Sequence, residues 1–328
     1  MTDFKAPYGP LAFFLDLEPE PADFRADVEE GLAAARKTLS PKYFYDARGA
    51  EIFEKITTLD AYYPTRTERA ILDASRDAVR AAVGPNRAIL EYGSGSSEKI
   101  RRLLDMVDRP SAYVAVDISR DQLIDGMSAL AGDVAPLPIG AVCADFTAEI
   151  ALPNDAVPAP AGWFGFFPGS TLGNFDPVQA SAFLSRAAAT LGDGATMLVG
   201  IDLYKDEAVL QRAYDDPDGV TAAFNLNVFR RMKNELDAAI DLDAFVHEAR
   251  VEPQTRRVEM HLRARRATEI VIGERAFAFA EGETLHTENS YKYDDASLAD
   301  VVAPTPWRIE TIWKDPKGWF AACFLRNS

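Results

Sequence analysis

The sequence is poor in sulfur and histidine. Its 328 residues include only 2 cysteines, Cys143 and Cys323, and 3 histidines. The cysteines lie far apart in apolar stretches typical of strands, so they predict neither a disulfide framework nor a zinc site. The histidines form no HxxxH or HExxH pattern, and we therefore expect no metal in the protein.

The sequence also lacks long apolar runs and an excess of positive charge. No stretch approaches the roughly 20 apolar residues of a membrane helix, and the opening residues MTDFKAPYGP do not resemble a signal peptide. We expect a cytoplasmic protein without a membrane partner. Acidic residues outnumber basic ones by 51 to 35, giving a net charge of −16. That charge argues against a nucleic-acid partner, because a phosphate backbone repels it.

Hydrophobic periodicity predicts an α/β protein. Helical spacing occupies residues 20–38, 48–58 and 65–83. Short apolar strands separated by helix-compatible stretches then follow at 88–92, 112–117, 140–143, 163–169 and 195–201. Such an alternation favours a Rossmann-like parallel sheet covered by helices on both faces.

The alternation stops after Asp202. Residues 206–240 have a helical pattern, whereas 245–252, 256–266 and 284–293 alternate polar and apolar residues as antiparallel strands do. The last residues predict two further strands joined by a DPKG turn, which return the chain to the first sheet.

These patterns predict two domains. We assign residues 66–205 plus 294–328 to the Rossmann-like domain. Residues 1–65 plus 206–293 are assigned to a second α+β domain, formed by the N-terminal helices and an insertion.

A glycine loop, Glu91-Tyr92-Gly93-Ser94-Gly95, joins the first strand to its helix. Because glycine has no Cβ, backbone N–H groups there can approach a ligand closely. Asp117 ends the next strand, where a carboxylate can bind two ribose hydroxyls, and Asp145-Phe146 follows the third strand, where adenine would lie. A Gly-x-Gly turn can also do no more than pack a helix onto a strand, but acidic residues at three strand ends favour a nucleoside site. The third glycine of the dinucleotide fingerprint is missing, which weakens an NAD interpretation.

Longer strings are more specific. They are FYDARGAEIFEKITTLDAYYPTRTERAIL (44–72), EYGSGSSEK (91–99), PGSTLGNFDP (168–177), AYDDPDGVTAAFNLN (213–227), RVEMHL (257–262) and HTENSYKY (286–293). Together they resemble the SAM-dependent histidine Nα-methyltransferase family, which trimethylates histidine to hercynine in ergothioneine biosynthesis. The resemblance runs over nearly the whole chain. It implies a class I methyltransferase fold, S-adenosylmethionine (SAM) as methyl donor and L-histidine as the small-molecule substrate. We also expect a monomer.

The resemblance also assigns residues to a SAM site. The matching positions are Gly93, Lys99, Asp117, Asp145 and Phe146. Lys99 depends on the resemblance alone, because a lysine in the first turn of a helix is ordinarily solvated.

For the substrate site, the resemblance implies that Asn174 and Tyr214 hold the carboxylate of histidine, while Glu288 and Ser290 recognise its imidazole. The remaining matching positions are Tyr62, which acts through water, Met260, which packs on the ring, Gly169, and Tyr45, the one candidate for a catalytic role.

Other interpretations of the same residues stay open. Asn174 could cap the following helix, and Tyr62 and Tyr214 could be core aromatics. Glu288 and Ser290 share one face of a strand, which could simply be solvated. The alternative functions are methylation of another amino acid such as tryptophan, which should not need Glu288 with Ser290, and non-catalytic binding of SAM or an amino acid.

Overall fold

In the computed structural model, residues 3–5, 7–17, 24–93, 97–152, 157–158 and 160–328 are described. Their α-helices are α1 (Phe24–Ala33), α2 (Ala47–Thr58), α3 (Pro64–Val83), α4 (Ser97–Leu104), α5 (Arg120–Asp133), α6 (Pro177–Leu191), α7 (Glu207–Tyr214), α8 (Val220–Asn225), α9 (Asn227–Leu236) and α10 (Asp295–Val302). Their β-strands are β1 (Asp3–Lys5), β2 (Phe13–Asp16), β3 (Ala88–Tyr92), β4 (Ala112–Asp117), β5 (Ile139–Cys143), β6 (Trp163–Phe167), β7 (Thr196–Asp202), β8 (Ala239–Ile240), β9 (Phe245–Glu252), β10 (Arg257–Ala264), β11 (Thr268–Ile272), β12 (Arg275–Phe279), β13 (Thr284–Tyr291), β14 (Trp307–Lys314) and β15 (Phe320–Asn327).

The chain divides into two compact units. The first comprises residues 1–21, 67–203 and 293–328, and the second comprises 22–66 and 204–292.

The sheet of the first unit has the order β1-β2-β5-β4-β3-β6-β7-β15-β14 among the described strands. From β2 to β7 all neighbours are parallel, whereas β15 is antiparallel to both β7 and β14. Strand order reverses at β3, which pairs with β4 on one side and β6 on the other. Ligands of open α/β sheets bind at the carboxyl ends of the strands beside such a reversal.

The central strands are buried on both faces, as a parallel sheet requires. Every residue of β3, β5 and β7 is buried, and so is every residue of β4 except Asp117. All five strands predicted for this part of the chain are confirmed. Each is a nearly continuous apolar run because both of its faces are buried.

The N-terminal segment corrects the predicted domain assignment. Residues 1–65 were assigned to the second domain, but β1 and β2 belong to the large sheet, where Phe13 pairs with Gly140 of β5. Gly140 makes this pairing possible, because a Cβ built there would lie 2.2 Å from the ring of Phe13. The apolar run Phe13–Asp16 is too short to show by periodicity which sheet it joins.

The second unit contains two antiparallel three-stranded sheets, ordered β13-β10-β9 and β12-β11-β8 among the described strands. Helices α7 and α8 pack on β9 and β10. A register shift between Met260 and His261 of β10 lets Met260 pair with Glu288, and His261 with His286. The segments predicted as strands around 245–252, 256–266 and 284–293 are therefore β9, β10 and β13.

Among the described residues, none of the helices combines the length and apolar character needed to span a bilayer.

Candidate cofactor and substrate sites

Gly93 forms the turn that leaves β3. Its φ of +75° is a conformation that other residues rarely adopt, and its N–H donates to the carbonyl oxygen of Val116, 2.9 Å away. A Cβ built on Gly93 would meet no atom within 4 Å, so space lies open beside the turn. The next loop residues, 94–96, and the side chain of Lys99 lie outside the described part of the structure; the backbone of Lys99 belongs to α4.

Asp117 is the last residue of β4, and Asp145 lies two residues after the neighbouring strand β5, at the same sheet edge. The Asp117 carboxylate accepts the backbone N–H of Ser119 at 2.8 Å, and that of Asp145 accepts the N–H of Thr147 at 2.8 Å. These local bonds fix the two side chains in their loops. Both residues are half-buried, so part of each side chain is accessible to a ligand.

Phe146 belongs to an aromatic cluster behind this edge. Its ring lies 5.7 Å from that of Phe167, 6.0 Å from Phe183 and 6.5 Å from Phe175, in edge-to-face contacts. The cluster holds the half-buried Phe146 ring as a wall next to Asp145.

Glu91 has a different role from the other two acidic residues at strand ends. It is fully buried within β3, and its carboxylate accepts the hydroxyl hydrogen bond of Tyr113 from β4. Burial, reinforced by Glu91, raises the pKa of Tyr113 well above its ordinary value. This pair therefore joins two central strands, so of the three acidic residues predicted for a nucleoside site only Asp117 and Asp145 remain candidates.

Gly169 and Asn174 lie in the loop after β6. Gly169 has a φ of +75°, and its N–H donates to the Glu68 carboxylate at 2.8 Å. Asn174 ends a 3-10 turn that begins at Thr171. The cap of α6 is Asp176, which accepts the N–H of Gln179, so Asn174 is not used as the helix cap. Glu68, which positions this loop, was not predicted from the sequence.

In the second unit the structure brings together Tyr214, Ser290 and Glu288. Tyr214 ends α7, and its hydroxyl lies 2.8 Å from that of Ser290 on β13. Ser290 and Glu288 are 4% and 9% exposed, so the strand face they share is not a solvated one. Met260, 2% exposed, is the cross-strand neighbour of Glu288. The predicted substrate residues of this unit thus form a buried polar group beside an apolar side chain.

The Glu288 carboxyl has an unusual environment. Burial raises its pKa to about 7, and the positive charge of Lys292 opposes this shift. A carboxyl that titrates near neutrality can accept a proton or a ring N–H at little cost. This property is typical of binding and catalytic sites.

Lys292 was missed by the sequence analysis. It is 2% exposed, and its ammonium donates to the hydroxyl oxygens of Tyr214 and Ser290, each at 2.7 Å. The only sequence signal is its place two residues after Ser290 in the string HTENSYKY, which puts it on the same strand face.

A second hydrogen-bond network holds the end of α7. His247 of β9 bonds through Nε2 to the carbonyl oxygen of Tyr214 and through Nδ1 to the side-chain nitrogen of Asn225, both at 2.8 Å. The hydroxyl of Thr287 donates to the Asn225 side-chain oxygen at 2.7 Å. These buried polar groups connect α7, α8, β9 and β13.

Tyr45 and Tyr62 share an aromatic neighbour. The ring of Phe53 on α2 lies 5.7 Å from that of Tyr45 and 6.3 Å from that of Tyr62, and Phe224 lies 5.5 Å from Tyr45. Tyr45 is 36% exposed. Both tyrosines are therefore packed through their rings in one cluster of the second unit.

Among the described residues, one cluster of side chains has the carboxylate and imidazole groups that can bind a metal ion. Side-chain ligand atoms of Glu259, His261 and His286 lie within 4.8 Å of one another. Glu259 already pairs with the guanidinium of Arg257 and accepts from His261 at 2.9 Å. A guanidinium on the carboxylate opposes a divalent cation there, so we assign no metal to this cluster.

The features of the first unit define a class of protein. A sheet that is parallel from β2 to β7, with β15 antiparallel to β7, a glycine turn after β3, where the strand order reverses, and acidic side chains at the end of β4 and after β5 are features of a Rossmann-like class I methyltransferase. The family model for "Histidine-specific methyltransferase, SAM-dependent" matches residues 24–327. The chain belongs to this family of SAM-dependent, histidine-specific methyltransferases.

Named relatives agree with that membership. The histidine N-alpha-methyltransferase of Mycolicibacterium smegmatis is 39% identical over 94% of this chain and 97% of its own length. The enzyme of the same name from Mycobacterium tuberculosis is 38% identical over 90% of this chain and 92% of its own. Ergothioneine biosynthesis protein 1 of Neurospora crassa is 31% identical over 57% of this chain, which corresponds to 22% of that longer protein.

Proposed function

We propose that this protein is an L-histidine Nα-methyltransferase, which uses SAM to convert histidine to Nα-trimethylhistidine (hercynine) in ergothioneine biosynthesis. Family membership and the names of the relatives support the reaction. The structural observation that carries the choice of histidine is the buried group of Glu288, Ser290 and Tyr214, whose carboxyl titrates near neutrality.

In this proposal Glu288 and Ser290 recognise the imidazole. The carboxylate accepts the ring N–H, and the serine hydroxyl serves as donor or acceptor for the second ring nitrogen. An amino acid without ring nitrogens would leave Glu288 buried and unpaired, which is costly. The apolar side chain of Met260, next to Glu288, packs against the ring.

Tyr214 and Asn174 hold the substrate carboxylate in the proposal, both through hydrogen-bond donors. Gly169, Tyr62 and Tyr45 are further residues that we assign to substrate binding from the resemblance. Holding both ends of histidine fixes the direction of its α-amine. Such positioning can contribute roughly 7–11 kcal/mol to a bimolecular reaction in favourable cases.

The residues of the first unit fit SAM. The open space at the Gly93 turn admits a ligand to the backbone, Asp117 can accept from ribose hydroxyls, and Asp145 with the Phe146 ring suits adenine. Lys99 is assigned to the carboxylate of SAM. When bound, SAM supplies an electrophilic methyl group and a positive charge that disfavours protonation of a nearby amine.

The proposed chemistry needs no metal and no strong base. The residues of the site would hold the α-amine unprotonated, and SAM would supply the methyl group as its S–C bond breaks and S-adenosylhomocysteine leaves. A tyrosine hydroxyl or water can remove the amine protons between rounds. Methylation ends at the third methyl group, because the quaternary nitrogen has no lone pair. We further propose that the enzyme acts as a cytoplasmic monomer without nucleic-acid or membrane partners, in keeping with its net charge of −16.

A product assay tests this function. The purified protein is incubated with SAM and each free amino acid in turn, and products are identified by mass spectrometry. The proposal expects trimethylhistidine with histidine alone. Methylated tryptophan, or another methylated amine, would show that histidine is not the substrate. If no product formed, a non-catalytic binding protein would be favoured.

A further inference from the structure

The ammonium of Lys292 lies at the centre of the buried group in the second unit. It donates to the Tyr214 and Ser290 hydroxyls, each at 2.7 Å, and lies 4.5 Å from the centre of the Tyr214 ring. With 2% exposure it is removed from water, which is rare for lysine. A buried cation of this kind needs compensation from the groups it faces.

The three groups constrain one another. An ammonium can only donate hydrogen bonds, so both hydroxyl oxygens accept from Lys292. The bond of 2.8 Å between Tyr214 and Ser290 uses one hydroxyl proton. Lys292 therefore occupies one lone pair on each of the two hydroxyl oxygens and limits the directions in which each hydroxyl can bond to a further group.

Lys292 also supplies the charge opposite Glu288. Burial disfavours the Glu288 carboxylate, and Lys292 favours it. Among the described residues of this sheet face and the helix packed on it, α7 contributes Tyr214, β9 contributes His247 and β10 contributes the apolar Met260. Burial lowers the pKa of His247. Lys292 is thus the cation that keeps Glu288 available as an acceptor near neutral pH.

We propose that Lys292 is a positioning residue for histidine binding, which fixes the Tyr214 and Ser290 hydroxyls as acceptors of its own protons and supplies the cation that faces Glu288. The inference rests on the proposed function, since it concerns the same substrate site.

Two neutral variants test it, K292M and K292Q, with K55M as the control because Lys55 is an exposed lysine of the same unit. Histidine affinity is measured by isothermal titration between pH 6 and 9, in the presence of S-adenosylhomocysteine. The protonation of free histidine with pH is the same in every experiment. Differences in pH dependence between the proteins therefore come from groups of the binding site. Thermal unfolding and SAM affinity are measured in parallel.

We expect both neutral variants to bind histidine at least about 10-fold more weakly at pH 7, with unchanged SAM affinity. The pH below which binding weakens should move upward by about 1 unit, because Glu288 has lost its cation. K55M should behave like the unmodified protein. The charge-retaining variant K292R should leave that pH where it is, even if its larger head group weakens affinity.

A purely structural role predicts the same loss of affinity at every pH, and that result would overturn the inference. Unchanged histidine affinity in a folded neutral variant would overturn it too. If K292M and K292Q do not fold, a pH shift in K292R contradicts the inference and an unmoved pH supports it. If the unmodified protein binds histidine but produces no methylated histidine, the proposed function fails while Lys292 keeps its role in binding. If it does not bind histidine, both proposals fail.

Discussion

The imidazole Nε2 of His247 lies 2.8 Å from the carbonyl oxygen of Tyr214. Nδ1 of the same ring faces an amide nitrogen of Asn225, which can only donate, so Nδ1 accepts and the Nε2–H donates to Tyr214. The ring is therefore neutral, in agreement with the burial that lowers the pKa of His247. A strand residue thus holds the backbone at the end of α7, where Tyr214 enters the proposed substrate site.

Replacing His247 with alanine should affect both folding and substrate binding. The variant leaves the Tyr214 carbonyl and the Asn225 amide without their partner, which costs about 1–3 kcal/mol of unfolding free energy. Urea unfolding measures this loss, and titration with histidine should show weaker binding. Gln254→Ala, in the exposed turn before β10, is the control. A His247→Ala protein as stable as the control would show that the network contributes nothing.

Glu288 should make stability depend on pH in an unusual direction. Its pKa is raised from 4.5 to about 7 by folding, so the folded state binds more protons between these values. Its contribution to stability is complete below pH 4.5 and is lost as the pH rises through 7. Glu288→Gln should therefore stabilise the protein at pH 8 by on the order of 3 kcal/mol and change little at pH 4.5.

Thermal unfolding at both pH values checks this prediction. Glu281→Gln, at an exposed turn position, should change stability equally little at pH 4.5 and pH 8. If Glu288→Gln gave no stabilisation at the higher pH, the carboxyl would have an ordinary pKa and the environment described here would be wrong.

Glu288→Ala should weaken the binding of histidine without weakening the binding of SAM. Loss of a charged acceptor for the ring N–H should weaken histidine binding by roughly 10- to 100-fold, while SAM binding stays the same. Isothermal titration with each ligand measures both. Unchanged histidine affinity in this variant would mean that another residue recognises the imidazole.

Asp117→Asn should weaken the binding of SAM. The amide keeps the size of the side chain but loses the charge that strengthens hydrogen bonds from ribose hydroxyls, so SAM affinity should fall by about 10- to 100-fold. Asp121→Asn is the control, because the Asp121 side chain is 92% exposed. Equal SAM affinities for both variants would remove Asp117 from the cofactor site.

Local sequence patterns predicted most of the fold because the central strands are apolar runs, which are recognisable in the sequence. The loops that carry the candidate cofactor residues come directly after these runs. The positions of Gly93, Asp117 and Asp145 at one sheet edge follow from the parallel arrangement alone. Lys292 and His247 escaped prediction because their shared partner Tyr214 is far away in sequence, 78 residues from Lys292 and 33 from His247. No periodicity reports such pairs. The resemblance supplied Tyr214, Glu288 and Ser290, and the structure supplied the buried cation between them.

The position of β15 in the large sheet has a consequence for synthesis of the protein. Residues Phe320–Asn327 are inserted between β7 and β14 rather than added at the edge. During translation, the neighbour of β7 is therefore synthesised more than 100 residues after β7 itself. Until then, the N–H and C=O groups along one edge of this apolar strand lack their partners in the sheet, which favours aggregation. The sheet can be completed only when these residues have left the ribosome.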